Sequence, residues 1–247
     1  MVVLDTMRFE KALEAVLNGE TTRSGIGTLG EKTTHAVLKA YFEPFEDSRE
    51  VKIGRFVADI AGENGIIEIQ TRSFNRLTKK LDVFLEYTDV TVVYPIPEKK
   101  YVRWLDMKTG ELTKRRTSPK KGSIYDAFKE LAKIKFALDN PRFHFVAVML
   151  EAEDIRCLNG WSNDKKRGST RYERIPISLL GEYRFDCPED YVMLVPPELE
   201  NEFTSLDFAK AAGIQRKLAQ SVLGVLTYVG AVTRTGKRGR EILYISN

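Results

Sequence analysis

Cysteine is scarce, with two in 247 residues. Cys157 and Cys187 have no partners at zinc-ligand spacing, which sets aside a cysteine-based zinc site and a disulfide framework. Long apolar runs are missing too. The longest, residues 145–150, is far too short to cross a bilayer, so no membrane partner is expected. No internal repeat is present, and no secretory leader pattern is read, so the expected compartment is the cytoplasm. Neither charge sign dominates: 39 Lys and Arg against 35 Asp and Glu leave a net +4. The 43% hydrophobic content supports ordinary cores and excludes a disordered chain.

The basic residues are unevenly placed. Residues 99–121 hold nine Lys or Arg against two acids, and residues 165–174 hold five against one. Such clusters suit a phosphate backbone, although a solvated loop accounts for either one alone. Arg115, Arg116, Lys120 and Lys121 are the candidate contacts in the first cluster.

The chemistry gathers at residues 56–71, which read as a tight β-hairpin. Asn64-Gly65 is a strong two-residue turn signal, because both residues tolerate positive φ. That loop places Asp59 opposite Gln70 and leaves Asp59 and Glu68 diagonal on one face. A four-residue loop over 62–65 places Asp59 directly opposite Glu68, and a bulged three-residue loop breaks the set. The other face carries Phe56, Ala58, Ile60, Ile67 and Ile69, so one face reads as core and the other as acid. Paired carboxylates repel unless a proton or a cation lies between them, and a hard divalent ion fits oxygen ligands. A solvated polar strand face is the competing reading.

Ala58-Asp59 followed by Glu68-Ile69-Gln70 resembles the PD-(D/E)XK nuclease superfamily, whose site is an Asp on one strand and Glu-x-Lys on the next. The Pro before the Asp is absent and Gln70 replaces the Lys, a variant that some restriction endonucleases of the superfamily share. The resemblance implies a restriction-endonuclease-like α/β fold, a mixed sheet flanked by helices, and Mg²⁺ or Mn²⁺ held by Asp59, Glu68 and the Ile69 carbonyl. Gln70 orients water or a phosphate oxygen in this scheme. Glu31, on the helix before the hairpin, matches an outer acidic ligand, and a capping box from Thr28 explains it equally well. His35 reads as a surface residue. Arg72, Lys79 and Lys80, beyond the hairpin, are candidates to replace the missing Lys or to contact phosphate.

Periodicity predicts helices over 5–17, 28–42 and 73–85, the last capped by Ser73. A strand over 88–95 ends at prolines and is parallel to the hairpin. A basic hairpin over 101–116 and a helix capped by Ser123 and Asp126 come next, then a buried strand from 143 to 150 and a polar loop over 160–170. The last fifth resembles a winged helix-turn-helix: two helices turning at Gly213, then two strands joined by a basic loop. Arg216, Lys217, Lys237, Arg238 and Arg240 are its candidate nucleic-acid contacts.

The expected division is a nuclease-like unit over 1–174, a connector over 175–202 and a winged-helix unit over 203–247. The leading expectation is a metal-dependent endonuclease whose partner is DNA, duplex first, acting as a homodimer or within a larger defence or repair complex. The alternative is an inactive DNA-binding regulator or adaptor that retains the nuclease fold.

Overall fold

A computed structural model of the chain describes residues 4–22, 33–158, 168–199 and 201–247. The architecture is α/β, built on a large mixed sheet with helices on both faces. Strands β1 (Arg49–Ile53), β2 (Phe56–Gly62) and β3 (Gly65–Ile69) form an antiparallel meander. Helix α3 (Thr78–Phe84) crosses over to β4 (Val90–Leu105), which is parallel to β3 as expected. The order β1-β2-β3-β4-β6-β7 is completed by β6 (Phe143–Leu158) and β7 (Ser169–Phe185), while the short β5 (Arg116–Thr117) pairs with β4.

The unbroken apolar run of β6 is explained by its two buried faces. Phe145, Ala147 and Met149 join one core, whereas Val146, Val148 and Leu150 join the other. On the second face lie α1 (Thr6–Thr22), with Phe9 and Ala12, and α2 (Thr33–Phe42), with Val37, Leu38 and Tyr41. Their spacing by three and four is that of an amphipathic helix. On the first face lie α3 and α4 (Phe128–Leu131), and each buried Phe or Leu here contributes roughly 2 kcal/mol.

The C-terminal elements are β8 (Phe203–Thr204), α5 (Ser205–Ala211), α6 (Arg216–Tyr228), β9 (Val232–Arg238) and β10 (Glu241–Ser246). Thr204 and Asp207 form a reciprocal cap on α5, and Gly213 turns the chain at φ 63°. Phe208, Leu218, Val222 and Leu226 belong to the same buried cluster as Phe128 and Leu131, so these helices pack directly on the main sheet's layer. Tyr125 fastens the two, its hydroxyl donating to the Leu194 carbonyl at 2.9 Å and its ring meeting Phe208 edge-on at 5.8 Å.

Several expectations are corrected. Strand β4 does not end at its prolines, and residues 101–105 are its continuation. Pro95 and Pro97 lie past Val93, the last β4 residue paired with β3, so their missing N–H groups face a side with no strand. Strand β7 runs through residue 174, so residues 175–185 belong to the main sheet rather than to a connector. Ser73 precedes a short 3₁₀ turn, Phe74–Arg76, rather than α3, and its hydroxyl makes no capping bond, accepting a hydrogen bond from Lys133. Ser123 and Asp126 do form the expected capping box, but the segment behind them is three short turns rather than one helix. The wing loop is also shorter than expected, since β9 extends to Arg238. The Thr28 cap and most of the 160–170 loop lie outside the described residues.

Candidate active site and basic cleft

The hairpin register pairs Ala61 with Ile66 and Gly62 with Gly65. This is the register of the wider-loop alternative, but the turn is Glu63-Asn64 rather than the expected Asn64-Gly65, and the strand pairing stops at Ile60 and Ile67, with Asp59 and Glu68 next along the same register. Gly65 is demanded less by the turn than by tertiary contact. At φ 96°, a Cβ there would lie 2.4 Å from the Asp89 carbonyl, the same oxygen that accepts the Ile66 N–H at 2.9 Å.

The acid face is not solvated. Glu68 is only 3% exposed, and both its oxygens accept hydrogen bonds from Lys80 Nζ, at 2.9 and 2.8 Å. Lys80 also donates to the Val57 carbonyl at 2.6 Å. Asp59 Oδ2 accepts the Ile69 N–H at 2.8 Å and lies 3.2 Å from His35 Nε2. A third pair, Lys39 with Glu50, brings a cation of α2 to β1 beside Asp59. His35 is therefore part of the site rather than a surface residue.

The two carboxyls are pushed apart electrostatically. Burial, and then the Asp59 charge, raises the Glu68 carboxyl to about 7 against the opposing pull of Lys80. Burial also works to raise Asp59, but His35, the Ile69 amide and Lys80 outweigh it and hold that carboxyl below its ordinary value. Divergent acidities in adjacent carboxyls are typical of functional sites. Gln70 follows at the end of β3, its amide oxygen accepting the Arg72 N–H at 3.2 Å. Glu31 lies outside the described residues.

Thr71, three residues after Glu68, lines a cleft of about 780 Å³. The other walls are β4 around Pro95, the loop carrying Lys120 and Lys121, β7 at Arg171 and Arg174, and the turn from Ala212 to Gln215 before α6. Gly122 lets that loop lie on β4, since a Cβ there would meet the Pro97 carbonyl at 2.6 Å. Helix α2 ties pocket to cleft: Thr34 donates to the Arg174 carbonyl at 2.8 Å, and His35, the next residue, reaches Asp59.

Six cations line the cleft: Lys100, Lys120, Lys121, Lys129, Arg171 and Arg174, against the single carboxylate of Asp126. Among the described residues only Arg174 has an ion-pair partner, buried Asp154, gripped at 2.6 and 3.1 Å. Burial lowers the Lys100 pKa, and Arg174, Lys120 and Arg156 add repulsion that the attraction of Asp154 opposes. Lys120 and Lys121 were expected as contacts, but Lys100, Arg171 and Arg174 were legible only as members of basic clusters.

The remaining candidates scatter. Arg72, Lys79, Arg116 and Lys217 are exposed, whereas Lys80 is committed to Glu68. Arg115 donates to Glu153 at 2.6 Å and lies over the Tyr101 ring, and Arg216 pairs with Glu241. Lys237, Arg238 and Arg240 project from the β9–β10 hairpin into solvent. No described helix is long and apolar enough to cross a membrane.

Residues 32–186 match the family model described as a domain of unknown function, DUF8091. That is more than half of the chain, which belongs to this family. The match takes in the whole main sheet, pocket included, and stops before the C-terminal helices. A Treponema pallidum (strain Nichols) protein described as uncharacterized is 29% identical over 227 residues, covering 89% of this chain and 86% of that one. No solved structure matches the chain.

Proposed function

We propose that the chain is a metal-dependent nuclease acting on DNA, with the Asp59 and Glu68 pocket as its active site. One observation carries this reading: two carboxyls of opposed acidity lie side by side where the hairpin meets a cleft lined with six cations, five of them without an ion-pair partner among the described residues. The donor set suits a hard divalent ion. Although no group of three or more Asp, Glu, His or Cys is gathered for a metal among the described residues, Mg²⁺ commonly binds through one or two carboxylates plus substrate phosphate. Asp59, Glu68 and the Ile69 carbonyl would hold it. Once bound, Mg²⁺ or Mn²⁺ supplies an activated water and stabilises charge developing on the phosphate.

The chain's own groups do the rest. His35 and the Ile69 amide orient Asp59, Lys80 holds Glu68 in place, Gln70 offers a neutral amide to a water or phosphate oxygen, and the cleft cations neutralise neighbouring phosphates. The C-terminal unit would act as a winged helix, with Lys217 and the β9–β10 hairpin reaching the backbone.

A second reading draws on the same geometry. Lys80 takes both oxygens of Glu68, which is the arrangement an inactive DNA-binding adaptor would keep. Cleavage of labelled DNA with Mg²⁺, Mn²⁺ or EDTA separates the two. The nuclease reading expects metal-dependent cleavage that falls about 100-fold or more in Asp59→Asn and Glu68→Gln. Variants that cleave at the parent rate remove those residues from the site, and DNA binding without cleavage by the parent establishes the adaptor.

A further inference from the structure

We propose that the basic cleft binds an unpaired segment of nucleic acid, seating a base on its apolar floor and the flanking phosphates on its cations. The inference rests on the nucleic-acid reading above and changes the ligand from a duplex to a single strand. The floor is made of Tyr94, Pro95, Ile96 and Pro97 from β4, Ala212, Ile214 and Leu218 add apolar lining from the C-terminal elements, and the six cations share the remainder with Asp126 and the neutral Thr71, Ser123 and Gln215.

A duplex offers a protein phosphates, sugars and the edges of its bases, while the faces of those bases stay stacked on one another. An aromatic and proline floor has no partner on such a surface. An unpaired nucleotide presents a π-face and a phosphate together, the combination that this lining complements. Size agrees. The cleft falls within the range of small-molecule sites, roughly 300–1,000 Å³, which suits one or two nucleotides rather than a double helix.

The seat is also preformed. The Tyr94 ring is held edge-on against Phe74 at 5.3 Å, and the wall formed by the turn before α6 is fixed by the buried cluster joining Phe208 and Leu218 to Phe128. Little ordering is left for binding to impose. Five of the six lining cations lack a carboxylate partner among the described residues, which leaves them for the phosphates.

The test is fluorescence anisotropy on the full chain in EDTA, with one labelled oligonucleotide as single strand, as duplex and as single strand with an abasic site. The single strand is expected to bind at least about tenfold tighter than the duplex, and the abasic strand about fivefold or more weaker. Tyr94→Leu, which keeps an apolar floor, is expected to weaken single-strand binding about fivefold, and Lys100→Ala with Arg171→Ala about tenfold with a shallower salt slope. Lys120→Ala with Lys121→Ala alters only exposed side chains and provides the same readout without risk to folding, which melting curves check for every variant. Equal affinity for duplex and single strand, with all cleft variants unaffected, overturns the inference and leaves the nucleic-acid reading standing. An abasic strand that binds as well as the intact one also overturns it, and failure of both forms to bind overturns both readings.

Discussion

The carboxylate pocket and the basic cleft are neighbours along β3 and β4, yet they treat charge in opposite ways. In the pocket each ionic side chain meets a partner of opposite character: Lys80 with Glu68, His35 with Asp59, Lys39 with Glu50. In the cleft cations crowd together, and Asp154 makes an ion pair only with Arg174 while attracting Lys100 and Arg171 from farther off. A pocket closed on itself can exist without a ligand, whereas a cleft of like charges is held in tension by the fold and relaxes when an anion arrives. Removing a charge should therefore destabilise the pocket and stabilise the cleft.

The largest effect is expected from Lys80→Ala. It leaves Glu68 buried without its cation, and a loss of about 2 kcal/mol should appear in chemical denaturation, less than for a fully buried pair because Lys80 reaches solvent. The same variant should bind Mn²⁺ more tightly by calorimetry, since the competing ammonium is gone. An unchanged melting curve would show that the pocket is not electrostatically closed.

A pH series sharpens the comparison. Because the folded chain raises the Glu68 carboxyl from 4.5 to about 7, the unfolded chain gives up this proton first. This group's contribution to stability is whole below about pH 4.5 and declines as pH rises toward 7. Denaturation of the parent beside Glu68→Gln isolates it: the difference between the two should drift across this window, and a constant difference would mean that burial does not govern Glu68.

In the cleft, Lys100→Met should raise stability by about 0.5 kcal/mol, a Tm gain of about 1–2 °C, while weakening oligonucleotide binding. A lower Tm would break the contrast. The smallest effect on stability, within about 0.5 kcal/mol, is expected for Lys237→Ala, Arg238→Ala and Arg240→Ala together, since all three are exposed. If the hairpin touches the backbone, the salt slope of binding flattens.

Much of the scaffold was legible because periodicity reports burial directly. The continuous apolar run of β6, the stripe of α1 and the caps at Ser123 and Gly213 each carry their own cause. The nearness of Asp59 and Glu68 was legible from the hairpin, but the turn falls at Glu63-Asn64 rather than Asn64-Gly65, and Phe56 and Ala58 join the other core from Ile60, Ile67 and Ile69, so the single core face was misread. A strand pattern shows that Glu68 points away from its neighbours and cannot show that a helix will cover it, so the solvated face became a buried one once α3 laid Lys80 across it. The register was ambiguous for a similar reason, as the demand on Gly65 comes from Asp89 in a separate segment. His35, Lys100 and the pair Arg171 and Arg174 belong to three elements, α2, β4 and β7, that only tertiary packing assembles.

The two prolines of β4 have a consequence for association. From Tyr94 to Pro97 the strand has lost β3 on one side, where the Gly122 N–H reaches the Pro97 carbonyl but no strand is laid down, and a strand edge left without a strand ordinarily invites another chain to pair with it. Pro95 and Pro97 offer no N–H groups, so that edge cannot template a continuous ladder. The floor of the cleft is therefore a stretch of sheet that resists being completed by more sheet, from a second copy or from an extended peptide, and it stays open to ligands that do not bind by strand pairing.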